Sequence, residues 1–285
     1  MELLFSSPSW SLFSGIFIFL LGTIIGSFLN VVALRYNTGL NLSGRSRCFS
    51  CERPLLWFEL VPLFSFLLLK GRCRTCGSLL SLQYPVVELL TGVVFSILFI
   101  QAPSLFAFFA FAFISSLFIV IGIYDIRHTI VPNGLSYAAA FFSFLMLFVD
   151  LSSVTLHVPT FLAVLAGPLI ASPFFLLWLF SHGRWMGLGD AKLALSIGWL
   201  LGISGGSVAF LVAFWSGAVI GIFSIMLQSK TMHHFLSWSG VNALPLFANR
   251  LTIKSEIPFA PFLLLGFFIT LFYHLTIFEF IPWPL

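Results

Sequence analysis

The chain has 285 residues, of which 60% are apolar and only 8% charged, with a mean hydropathy of +1.10 and a net charge of +4. Ordinary globular domains carry about 25% charged residues, so a water-soluble domain is excluded and an integral membrane protein indicated. Long unbroken apolar runs exclude a closed barrel, which reads as short alternating segments, and bases concentrated in loops, with no basic helix face, argue against a nucleic-acid partner.

The first apolar run, about Leu12 to Leu34, lacks a small-residue cleavage site and reads as a retained span. Gly22 and Gly26 lie four apart on it, which lets a neighbouring helix approach. Residues 36–82 form the one long polar segment and, with Arg35 just before it, account for seven of the thirteen Lys and Arg: Arg35, Arg45, Arg47, Arg53, Lys70, Arg72 and Arg74. The positive-inside rule makes this segment cytoplasmic and the N-terminus external.

All four cysteines lie in that segment, as Cys48-Phe-Ser-Cys51 and Cys73-Arg-Thr-Cys76 with 21 residues between the pairs. Each C-x2-C offers two thiolates from one tight turn, and two such turns close a tetrahedral zinc site; four protein ligands make it structural, with no open position for catalysis. Disulfides are the alternative, disfavoured in a reducing cytosol. Between the pairs, Leu56 to Leu63 is apolar but too short and too proline-broken to span, and is expected on the membrane interface or against the cysteine turns.

Spans are expected over Tyr84–Ile100 and Leu105–Tyr124, joined by a turn at Ala102-Pro103. Glu88, one turn inside the first, either is a buried functional carboxylate or reaches the headgroups, the plainer expectation. Further spans are expected over Gly134–Phe148, followed by Asp150, and over Val158–Phe180, after which Arg184 marks a return to the cytoplasm. A short run, Leu193 to Ile203, then precedes a Gly205-Gly206 break and a run from Ser207 to Leu227. At 1.5 Å per residue the short run reaches about 16 Å, so a re-entrant hairpin competes with a crossing. A crossing puts every Lys and Arg on one side. The expected fold is therefore an all-α polytopic membrane protein of eight transmembrane helices, both termini outside, divided into a first helix (1–35), a four-cysteine zinc loop (36–82) and a membrane bundle (83–285). The 228–256 loop, with His233, His234, Trp238 and Arg250, is expected at headgroup level, and the last span at Pro258–Phe280.

Two carboxylates stand at junctions between spans. Asp125 follows a helix that enters the cytoplasm, where an acid opposes the macrodipole; its bland role is a salt bridge to Arg127 or Lys192. Asp190, in Met186-Gly187-Leu188-Gly189-Asp190-Ala191-Lys192, has the bland role of an N-cap. Both fall at one cytoplasmic depth, and Gly187 and Gly189 permit positive φ and close backbone approach beside Asp190. Two neighbouring carboxylates share a proton, leaving one as base and one as acid, a pair able to activate water and protonate a leaving amide.

These residues resemble the type IV prepilin peptidases, bifunctional leader peptidases and N-methyltransferases within the GxGD class of intramembrane aspartyl proteases. The likeness runs through Gly26 to Val31, the four cysteines, Glu59 to Leu63, Lys70 to Cys73, Tyr84 to Gly92, Asp125 with Pro132, Gly187 to Leu193, and Ile257 to Phe262. It implies Asp125 and Asp190 as catalytic aspartates, supported by Gly187, Gly189 and Lys192, and zinc on Cys48, Cys51, Cys73 and Cys76. It also implies the bacterial inner membrane, a prepilin or pseudopilin of a type IV pilus or type II secretion system cut after a glycine, and methylation of the new N-terminus from S-adenosylmethionine. No Gly-rich nucleotide fingerprint accompanies that donor. Asn133 and Ala260 depart from the family's usual Asp and Gly. A transporter or zinc-anchored assembly factor, with the aspartates as an ion site, is the rival reading; it expects internal repeats and broken helices at the midplane, and no repeat is found.

Overall fold

The computed structural model describes residues 8–39, 41, 44–227 and 258–274. It is mostly helical. In chain order the elements are α1 (Pro8–Arg35), a 3-10 turn (Trp57–Leu60), α2 (Phe64–Leu68), α3 (Gln83–Gln101), α4 (Leu105–His128), α5 (Asn133–Met146), the two-residue strands β1 (Val149–Asp150) and β2 (Thr155–Leu156), α6 (Phe161–Ser181), α7 (Leu188–Leu227) and α8 (Ala260–Tyr273). Five helices among the described residues are long and apolar enough to cross a membrane: Phe13–Arg35, Gln83–Gln101, Leu105–His128, Phe161–Ser181 and Leu188–Phe223. The 228–256 loop and the end of the last expected span lie outside the described residues.

The chain divides into two units. One takes the described residues up to Tyr124 with Gly134–Pro159; the other takes Asp125–Asn133 and the described residues from Thr160 onward. In the first, α1 lies along α3 because small residues meet: a Cβ on Gly22 would come 2.8 Å from the Gly92 Cα, and one on Gly26 2.9 Å from the Glu88 Cα. Asn30, fully buried, spans the same seam, donating to the Tyr84 carbonyl and accepting from Gln83 Nε2 at 3.0 Å. In an apolar surround such side-chain bonds fix one register of the pair.

The second unit is built on α6, α7 and α8. Two prolines inside α6 each deprive a carbonyl one turn back of its helical donor. Both carbonyls are satisfied: the Trp199 indole N–H donates to Val164 at 3.0 Å, and the Ser172 hydroxyl to Leu169 at 2.7 Å. The first of these also pins α7 to α6, where Gly198 faces the Ala166 carbonyl closely enough that a Cβ would sit 2.6 Å from it. Proline in a membrane helix thus becomes a docking point.

One expectation about α7 is corrected, and the bland role of Asp190 is set aside. The break falls at Gly202, with φ 69° and ψ −174°, not at Gly205-Gly206. Only Gly202 takes the positive φ that a reversal needs; Gly205 and Gly206 are helical. A Cβ on Gly206 would lie 3.5 Å from the Gly198 Cα, whereas residues eight apart on a straight helix stand about 12 Å apart. The legs 188–201 and 203–227 therefore fold back on each other. The helix also opens at Leu188, before Asp190, so Asp190 belongs to its first turn and is not its N-cap.

Candidate functional site

Asp125 sits in the last turn of α4 and Asp190 in the first turn of α7, both within the second unit and both buried, at 4% and 8% exposed. The Gly189–Val131 contact and the Lys192–Asn133 hydrogen bond join the two stretches that carry them. Asp125 Oδ2 accepts the Ala260 backbone N–H at 3.2 Å. That donor is available because Ala260 opens α8, where the first N–H groups have no helical partner. The start of α8 thereby orients one carboxylate.

The supporting residues differ from expectation in detail. Neither Gly187 nor Gly189 has positive φ. A Cβ added at Gly187 would meet only the Gly189 nitrogen, at an ordinary 3.9 Å. Gly189 is the one that matters sterically: a Cβ there would overlap the Val131 side chain. What approaches it is a side chain of the 125–133 segment and not a backbone, and the contact holds that segment against the first turn of α7. Lys192 Nζ donates to Asn133 Oδ1 at 2.6 Å, fastening the same two stretches. Sequence reasoning placed Ala260 beside the site only as a departure from pattern; its role as a backbone donor leaves no mark in side-chain chemistry.

The second cluster is the four cysteines. Their Sγ atoms all lie within 4.8 Å of one another, and Cys48 and Cys76 are 3.8 Å apart. Four sulfurs about 2.3 Å from a central ion stand about 3.8 Å apart, so the donor set and its spacing fit a tetrahedral metal ion. The two turns are copies with an offset of 25 residues. Cys48 N–H donates to the Arg53 carbonyl as Cys73 does to Ser78; Glu52 donates to Cys48 as Gly77 does to Cys73; Leu55 donates to Ser46 as Leu80 does to Gly71. Isolated bridges, Arg47 with Pro54 and Arg72 with Leu79, close each turn at the same offset.

In these turns backbone N–H groups face the sulfurs. Those of Cys51 and then Ser50 hold the Cys48 thiol down to about 6, and those of Cys76 and then Thr75 lower Cys73 in the same way. The thiolate is the ligand form, and these N–H groups favour it at Cys48 and Cys73, whereas at Cys51 the Arg53 N–H is outweighed by desolvation and the neighbouring sulfurs, which push the thiol up to about 11. Glu59 pairs with Arg53 at 2.6 Å beside the first turn, and that guanidinium holds its carboxyl below the usual range. Glu88, expected at the headgroups, is instead buried, its Oε2 accepting the Leu63 N–H at 2.8 Å.

Fold and sites together define a helical membrane protein that gathers two buried aspartates in one unit and carries a metal-ready cysteine cluster in the other. Two family models cover it: the Bacterial Peptidase A24 N-terminal domain over residues 20–102, and the Type IV leader peptidase family over residues 110–222. The chain is 30% identical over 269 residues to a prepilin leader peptidase/N-methyltransferase of Bacillus subtilis, covering 92% of this chain and 96% of that one. Proteins of the same description from Myxococcus xanthus and Klebsiella pneumoniae are 30% and 32% identical, over 75% and 66% of this chain and 64% and 85% of theirs. The chain belongs to the type IV leader peptidase family. No solved structure matches it.

Proposed function

We propose that this chain cleaves the basic leader of prepilins or pseudopilins at the cytoplasmic face of the bacterial inner membrane, with Asp125 and Asp190 as an aspartate dyad. The observation that carries the reading is the burial of both carboxylates in one unit, on stretches joined by the Gly189–Val131 and Lys192–Asn133 contacts, one of them held by the Ala260 N–H. Two such groups share one proton. The ionised member takes a proton from water as its oxygen attacks the scissile carbonyl. The protonated member then gives its proton to the leaving amide nitrogen, and the pair ends with the same single proton it began with. Gly189 and Lys192 keep the 125–133 segment seated on α7.

The curated relatives' name adds a second activity, N-methyltransferase; its target here would be the new N-terminus, with S-adenosylmethionine as donor. We assign it to the part of the chain around the cysteine loop, 36–82, and the peptidase to 83–285, after a first helix at 1–35. Cys48, Cys51, Cys73 and Cys76 would hold zinc, whose contribution is to cross-link two turns that have little core of their own. The reversal at Gly202 supports eight crossings, since it divides α7 into two legs; this count puts both termini outside, with lipid covering the exposed apolar faces. The product would serve a type IV pilus or type II secretion system.

Co-expression with a prepilin and intact-mass measurement of the pilin reads leader removal and methylation together. Wild type should remove the leader and add one methyl group, and Asp125→Asn and Asp190→Asn should each leave the leader in place. A leader removed in both variants would eliminate the dyad.

A further inference from the structure

Glu88 is a buried carboxylate that the proposed chemistry does not use. It lies on α3, 7% exposed, with the Leu63 N–H on its Oε2 and Ser27 of α1 as a second side-chain partner. Leu63 is itself unusual, with φ 62° and ψ −51°, and Phe64 N–H donates to the Pro62 carbonyl across it at 2.6 Å. That is a γ-turn of the positive-φ kind, rare and strained in any L-residue. Such a backbone persists only where its surroundings over-determine it, and here the buried carboxylate is what grips its N–H.

The grip connects to the cysteines. Glu59, in the 3-10 turn just before, accepts both Arg53 nitrogens, at 2.6 and 3.1 Å, and the Leu56 N–H at 2.8 Å. Arg53 in turn closes the first cysteine turn through its carbonyl. Hydrogen bonds thus run from Cys48 through Arg53 to Glu59, a short stretch of backbone carries the chain from there to the Leu63 turn, and that turn is bonded to Glu88, whose Cα packs against Gly26 of α1. Apolar packing does little to orient this stretch: α2 buries no residue, and Trp57, Phe64, Leu67 and Leu68 are all more than half exposed.

We infer that Glu88 is a positioning residue, its carboxylate clamping the Leu63 turn so that the four-cysteine loop is held on the α1–α3 pair as methyl transfer requires. The inference rests on the assignment of methylation to that loop. It is tested on the full-length protein co-expressed with a prepilin, comparing wild type, Glu88→Ala and Glu88→Gln by intact mass of the pilin and by hydrogen exchange of peptides covering 61–68. Leaving the Leu63 N–H without its acceptor predicts, in Glu88→Ala, exchange faster and methylated fraction lower by about tenfold or more, with leader removal within about threefold of wild type. Glu88→Gln retains an acceptor oxygen and should restore both to within about threefold. Unchanged exchange in Glu88→Ala, cleavage lost in step with methylation, or a Gln variant as impaired as Ala would each overturn the clamp. If wild type leaves the pilin unmethylated, the functional reading fails, while exchange at 61–68 still decides whether Glu88 holds the turn.

Discussion

The Ala260 N–H reaches Asp125 Oδ2 at 3.2 Å across 135 residues of chain. The contact makes one of the two carboxylates a fixed part of the α8 N-terminus, and it separates chemistry from structure at position 125. Asn keeps an oxygen for the Ala260 donor; Ala does not. Both Asp125→Asn and Asp125→Ala should lower leader cleavage by about 10²-fold or more, the usual scale of a lost acid or base. Only Asp125→Ala should also lower thermal stability in detergent, by about 1–3 kcal/mol, for the orphaned buried N–H. Paired cleavage assays and melting curves check this, and equal melting of the two variants would count against the contact.

Gly189 and Val131 form a steric pair, because no Cβ fits at 189 while Val131 keeps its side chain. Gly189→Ala should cost about 1–3 kcal/mol of stability and displace the segment that carries Asp125. Cleavage should recover when Val131→Ala is added. A double-mutant cycle on cleavage rate and melting temperature measures the coupling; additive effects would show that the two sites do not meet.

Trp199 repairs what Pro168 breaks. Trp199→Phe keeps an aromatic side chain, smaller than indole, but removes the N–H, leaving the Val164 carbonyl without its donor, at a cost of about 1–3 kcal/mol. Pro168→Ala restores a backbone N–H to that carbonyl, so the double variant should regain most of the loss in thermal unfolding.

The two cysteine turns differ where they ought to match. Gly77 takes φ 69° comfortably, but its counterpart Glu52 takes φ 54° as a non-glycine residue. Left-handed backbone costs an L-residue about 1–2 kcal/mol. Glu52→Gly should therefore stabilise the loop by up to about 1 kcal/mol, seen as slower metal loss to a chelator, and Gly77→Ala should destabilise it by a similar amount. Metal analysis should give one zinc per chain, lost when both cysteine pairs are changed to Ser.

What could be read from residue order was whatever depends on composition and short spacing. Apolar runs mark helices because hydrocarbon admits no unpaired backbone, and Cys48-x2-Cys51 with Cys73-x2-Cys76 marks a ligand set because a tight turn fixes the distance between two sulfurs. Asp125 and Asp190 stood out because a charge between apolar runs is costly enough to need a reason. Tertiary structure alone decided the rest. Which glycine in the 202–206 stretch reverses the chain depends on which one must take positive φ, and that follows from where Gly198 and Gly206 have to meet. The Ala260 donor is a backbone group, invisible in residue identity, that becomes available only because a helix begins there. Glu88 looks in sequence like any acid near a membrane edge; its burial follows from Gly26 letting α1 close over it and from the Leu63 turn coming within reach, and both are long-range accidents of folding that local spacing cannot encode.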